Sequence, residues 1–100
     1  MIRGTTPTHI FTLPFDTSKI SSARVTYAQG EQVVLTKETG ACAFDGDTIT
    51  VRLTQEETLL FSCKKMVEIQ LRVRLLDGET MSTDIMRKSI SECLDGEVLE

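Results

Sequence analysis

Apolar and polar residues alternate with a period of two along residues 67–75. Val67, Ile69, Leu71, Val73 and Leu75 are apolar, and Glu68, Gln70, Arg72 and Arg74 are polar. Alternation of this kind puts successive side chains on opposite faces of a strand, one toward a core and one toward water. Asp77-Gly78 follows at once and is a favoured pair for a tight hairpin turn, so residues 80–90 are expected to fold back as a second extended segment. In that segment Met81 and Ile85 share one face and Met86 and Ile90 the other, and the change of phase between 85 and 86 predicts a β-bulge.

Shorter segments with the same period lie upstream. Residues 9–15 form a first strand with Phe11, Leu13 and Phe15 on one face. Pro14 has no backbone donor, so this strand should lie at an edge or break near its end. Asp16-Thr17-Ser18 is turn chemistry, with Asp16 or Ser18 capping a single helical turn that ends near Ile20. Residues 22–29 form the second strand, with Ala23, Val25 and Tyr27 on one face. A turn centred on Gly30 leads into the third, residues 32–37. Residues 41–44 are a short fourth segment. Asp45-Gly46-Asp47 is a tight turn, and residues 48–53 are a fifth strand through Ile49, Val51 and Leu53.

The period then changes. Thr54-Gln55-Glu56-Glu57 fits a capping box, in which Thr54 accepts from a backbone N–H and Glu57 returns the bond three residues on. Residues 58–61 complete one or two helical turns, enough to carry the chain from one sheet to the other. A carboxylate pair at Glu56-Glu57 is a poor acid–base device, because adjacent helical residues do not face each other.

Seven or so short strands with regular turn signals predict an all-β antiparallel sandwich with one short helical turn near residues 54–60; a small closed barrel is the alternative. The expected core is Phe11, Leu13, Phe15, Val25, Tyr27, Val33, Leu35, Ile49, Val51, Leu53, Leu60, Val67, Ile69, Leu71, Val73, Leu75, Met86 and Ile90. One hundred residues make one domain, with a loose N-terminus over residues 1–8 and an acidic C-terminal tail over residues 92–100.

Charge sharpens the picture at that tail. The net charge is −4, and residues 92–100 hold Glu92, Asp95, Glu97 and Glu100 with no base, so the rest of the chain is balanced. A neutral body with an acidic tail argues against nucleic acid, which calls for a basic face. The tail reads as a solubiliser or, because Leu94, Val98 and Leu99 interleave its acids, as a partner-docking segment. No run approaches the roughly 20 apolar residues of a membrane span, and residues 1–8 contain no apolar signal core. The expectation is a chain that stays in the cytoplasm where it is made.

Candidate chemistry is sparse. Three cysteines, Cys42, Cys63 and Cys93, read as free thiols in a reducing compartment. Their wide spacing and the single His9 offer no zinc pattern. A Cys–His nucleophile pair would need His9 beside a thiol in space. Arg72, Arg74, Arg87 and Lys88 are expected to neighbour one another across the hairpin, with Glu68, Asp84 and Glu92 as countercharges, a mixed solvated face rather than an anion site. Asp45-Gly46-Asp47 lacks the further oxygen ligands of a calcium loop. The residues identify no catalytic, cofactor-binding or metal-binding site.

One resemblance goes further. Phe11-Thr12-Leu13-Pro14-Phe15-Asp16 is followed by Val25-Thr26-Tyr27-Ala28-Gln29, then by residues 47–58, DTITVRLTQEET, then by Val67-Glu68-Ile69-Gln70-Leu71-Arg72-Val73, Asp77-Gly78 and Ser82-Thr83-Asp84-Ile85. Over about residues 8–92 this resembles small proteins encoded in prophages of gut-type Gram-positive bacteria. In the order of its elements it is similar to the immunoglobulin-like N-terminal domain of phage baseplate upper proteins, which continue into long further domains. The resemblance implies a non-enzymatic bacteriophage structural or assembly protein, a virion, tail or baseplate component that contacts itself or other phage structural proteins. It carries over no site residue. A small ligand-binding sandwich, for example for carbohydrate, is the alternative, with Phe44 as its candidate contact.

Overall fold

The alternating stretch forms β6 (Val67–Leu75), in which Val67, Ile69, Leu71 and Val73 are buried while Arg72 and Arg74 stand in solvent. The computed structural model describes residues 1–100. On one side β6 pairs antiparallel with β2 (Ile20–Gln29), which pairs in turn with β3 (Gln32–Glu38). On the other it pairs with β7 (Thr80–Ser82) and β8 (Met86–Lys88). A second, three-stranded sheet has the order β1 (Thr8–Thr12), β5 (Thr48–Arg52), β4 (Cys42–Asp45). The chain is an all-β antiparallel sandwich. In order its strands follow the B-E-D and C′-C-F-G sheets of an immunoglobulin-type sandwich, with β1 in the place of B and β7 and β8 together in the place of G. No strand occupies the outer side of β1, where strand A of that plan would lie.

Local chemistry explains the connections. Gly30 and Glu31 both have positive φ, 54° and 69°, as a two-residue type I′ turn between β2 and β3 requires. Gly78 takes φ 93° in the turn after β6, and the Asp77 carboxylate accepts from the Glu79 N–H at 2.9 Å. Asp16 caps the single 3₁₀ turn Thr17–Lys19 by accepting from the Ser18 N–H. The capping box forms at the one-turn helix α1 (Gln55–Thr58): the Glu57 N–H donates to Thr54 Oγ1, and the Thr54 N–H donates to Glu57 Oε1.

The core lies between the sheets and contains most of the expected residues; Phe15, Leu35, Leu75 and Met86 are half-buried at its margin. Two expected core residues are not in it. Val33 is 62 % exposed. A β-bulge between Tyr27 and Ala28 pairs Tyr27 with Leu35 but Ala28 with Val33, so the alternation in β3 turns over and Val33 faces out beside Ala28. Leu60 is 61 % exposed, whereas Phe61 is 1 % exposed. The buried Thr58 fixes the inward face of the helical turn, and the residue three positions on, Phe61, shares that face.

The last extended segment breaks where the phase change predicts. Its register against β6 slips by one residue between Ser82 and Met86, and Thr83 bridges the gap. The Thr83 N–H donates to the Leu71 carbonyl, and the Leu71 N–H donates to Thr83 Oγ1 at 3.1 Å. This break makes eight strands of the expected seven.

Both termini are tied down, although residues 1–8 read as loose. Ile2 forms a parallel bridge with Ser91, the Arg3 guanidinium donates to Glu92 and to the Leu59 carbonyl, and the Gly4 N–H donates to the buried Thr58 hydroxyl. Thr58 Oγ1 donates in return to the Thr5 carbonyl at 2.9 Å, so residues 3–5 are held against α1 and the loop after it, and residues 1–3 against Ser89, Ser91 and Glu92. In the tail, the Gln55 amide accepts from the Leu99 N–H at 2.7 Å and donates to its carbonyl at 3.0 Å.

Candidate functional site

Two contacts between titratable groups lie in the interior or at its edge. His9 shares the inward face of β1 with Phe11, and its Nδ1 is 2.8 Å from the Tyr27 hydroxyl. The Tyr27 ring packs in turn on Phe61. Lys37, inward-facing on the edge strand β3, meets Glu57 at 2.6 Å. Burial raises the Glu57 carboxyl, but the Lys37 ammonium and the Thr54 N–H and hydroxyl outweigh it and hold the group below its ordinary range. Burial drives the Tyr27 phenol far above its ordinary value, with Cys42 and Glu57 adding to the rise.

Burial, Lys88 and the Met1 amino group all press the His9 imidazole below its ordinary value of 6.5, so the folded protein holds it neutral. The unfolded chain takes up a proton near 6.5 and the native state does not. The stability from neutral His9 is therefore complete above pH 6.5 and is lost as pH falls from there toward the depressed native value. Urea titrations between pH 7.5 and 5 should show unfolding free energy falling with acid, by at most about 1.4 kcal/mol per pH unit. His9→Gln should flatten that slope. An unchanged slope in the variant would assign the acid sensitivity to another group.

Cys42 and Cys63 are not set up as nucleophiles. Val51 pairs with His9 on one side and with Cys42 on the other, so a full strand separates imidazole from thiol. Burial pushes the Cys42 thiol up. Cys63 Sγ donates to Glu92 Oε1 at 2.9 Å, and that bond, with the carboxylate charge, raises the Cys63 thiol as well. All three cysteines are free. No three His, Cys, Asp or Glu side chains converge as a metal cage. In the Asp45-Gly46-Asp47 turn the Asp47 carbonyl accepts from Leu13, the Gly46 carbonyl from Thr17 and the Asp45 carbonyl from Thr48. These oxygens tie the turn to the sandwich.

The surface carries more information, beginning at the sheet edges. Leu13 donates to Asp47 and Leu53 donates to Pro7, so the odd-numbered residues of β1 direct their backbone groups at β5. By the alternation of an antiparallel ladder, the N–H and C=O groups of Thr8, Ile10 and Thr12 point away, at the open side. Ile10 is 62 % exposed there. Charges guard three of the other edges, Lys37 and Glu38 on β3, Asp45 on β4, Arg87 and Lys88 on β8, and the uncharged β7 is only three residues long. β1, Thr-His-Ile-Phe-Thr, has no charged residue, and Pro7 and Pro14 bracket it. At its upper end a groove of about 310 Å³ opens between Leu13-Pro14-Phe15 and Met81–Thr83, with Leu71 and Val73 as its floor.

The outer face of the large sheet is polar, as the alternation of β6 predicts. Arg87 pairs with Glu68 at 3.2 Å across the hairpin, but Glu92 pairs with Arg3 instead. The neighbour of Arg72 comes from an unexpected direction: Arg24 on β2 lies directly opposite it. Sequence order gives no means of seeing that pair, because β2 and β6 are far apart along the chain. No protein-family model, curated protein or solved structure matches this chain.

Proposed function

We propose that the chain is a non-enzymatic assembly module that acts by joining its sheet to another protein chain, in keeping with the phage structural proteins it resembles, at a virion, tail or baseplate. One observation carries the reading: the β1 edge offers three residues of unpaired backbone around an exposed Ile10, uncharged and beside a half-apolar groove. Edges of this kind accept a further strand, and backbone bonds give the affinity. The raised thiols and the hydrogen-bonded His9 favour a binding role over nucleophilic chemistry. A carbohydrate-binding reading would rest on Phe44 alone, since Tyr27 is fully buried.

The test is Ile10→Lys. The side chain points to solvent and the outward backbone groups belong to no ladder, so the change should alter unfolding free energy by less than about 0.5 kcal/mol. It should also weaken concentration-dependent association of the purified chain, read by light scattering with reductant present. Association of Ile10→Lys equal to that of the wild type would remove β1 as the contact.

A further inference from the structure

We propose that the outer face of the large sheet around Arg72 and Arg74 binds the acidic C-terminal segment, residues 95–100, of a second copy of this chain. The inference rests on the assembly reading above but on different residues. Arg24 and Arg72 are cross-strand neighbours, Arg74 lies opposite Ser22, and Thr80 lies beside Arg74. Together with Glu38 they border a shallow recess of about 170 Å³.

Like charges placed directly opposite each other on a sheet destabilise it. Only Arg24 has a countercharge, Glu38 at 2.8 Å. The four ion pairs of the protein use Arg3, Arg24, Lys37 and Arg87, which leaves Arg72 and Arg74 with none. A guanidinium pair flanked by hydroxyls is suited to carboxylates, which each guanidinium can bind through two parallel bonds.

The same chain carries the complementary group. Asp95, Glu97 and Glu100 are exposed, and none of the four ion pairs includes them. The segment cannot serve its own arginines from where it lies. Gln55 of α1 grips Leu99 at the end of the sandwich where β6 begins. Arg74 is seven residues along β6 from Val67, about 23 Å at the rise of a strand. A second copy offers its acids with no such limit. The contact joins two different surfaces, so it is head-to-tail and propagates into a ring or a filament.

Charge reversal tests this directly, by sedimentation and light scattering on the full chain with reductant. The wild type should associate at low salt and dissociate as salt rises. Arg72→Glu with Arg74→Glu should weaken association at least tenfold. It should also raise the thermal midpoint, because a carboxylate at position 72 would then face Arg24. Glu97→Arg with Glu100→Arg should weaken association equally. Mixing the two doubly substituted chains should restore a 1:1 complex, since one then offers an acidic face and the other a basic tail.

A wild type that stays at 11.1 kDa at millimolar concentration and low salt would overturn the inference. So would reversals that leave association unchanged, and in that case loss of association in Ile10→Lys would keep the assembly reading while this docking falls. Failure of the mixed pair to combine would show that each reversal acted on its own fold, and would also overturn it.

Discussion

Phe61→Ala is expected to lower the unfolding free energy by about 3–5 kcal/mol, whereas Leu60→Ala should change it by less than about 0.5 kcal/mol. The two residues are adjacent and both large and apolar. Phe61 fills the space between the sheets against Tyr27, with ring centroids 6.1 Å apart. Truncating it removes buried apolar area and leaves a cavity that Tyr27 and the β6 side chains, held by their ladders, cannot close. Leu60 points to water and loses little. Urea unfolding of both variants at pH 7 checks the contrast. Comparable losses would mean that the inward face of the turn after α1 is misassigned.

That contrast locates where the sequence becomes hard to read. Strands whose faces keep one phase, such as β5 and β6, are legible because each buried residue implies the next. The errors fall where phase is reset. In β3 the bulge opposite Tyr27 exposes Val33, and after α1 the change from strand to helix period replaces Leu60 with Phe61. The phase change near Ile85 is visible because apolar residues lie on both sides of it. The one in β3 is hidden, since Val33, Val34 and Leu35 are apolar in every register.

The interaction surfaces divide in the same way. The end of β1 short of Pro14 and the acidity of the tail are plain in the sequence. The Arg24–Arg72 juxtaposition, the interior His9–Tyr27 bond and the Lys37–Glu57 pair depend on which strands become neighbours across the sandwich. Composition and spacing carry no such information.

Gln29 is the clearest case of a structural role hidden in this way, and Gln29→Ala is expected to lower the unfolding free energy by about 2–4 kcal/mol. It is the last residue of β2, next to the Gly30 turn, yet it is buried and all of its side-chain bonds go to one loop. Its Nε2 donates to the carbonyls of Ser62 at 2.7 Å and Lys65 at 3.0 Å, and its Oε1 accepts from the Ser62 N–H at 2.9 Å. The amide thus substitutes for a strand partner along the loop that leads from α1 into β6. Removing it takes three bonds from two carbonyls and one N–H of a part-buried loop, at about 1 kcal/mol each and more where water cannot replace them. Because the loop carries Phe61 into the core and Cys63 to Glu92, the effect should spread to the start of the tail. Hydrogen exchange should show the Ser62 amide losing protection in Gln29→Ala while amides of β5 keep theirs. Full protection at Ser62 in the variant would mean that the loop is held by its backbone alone and that Gln29 is only a filler of space.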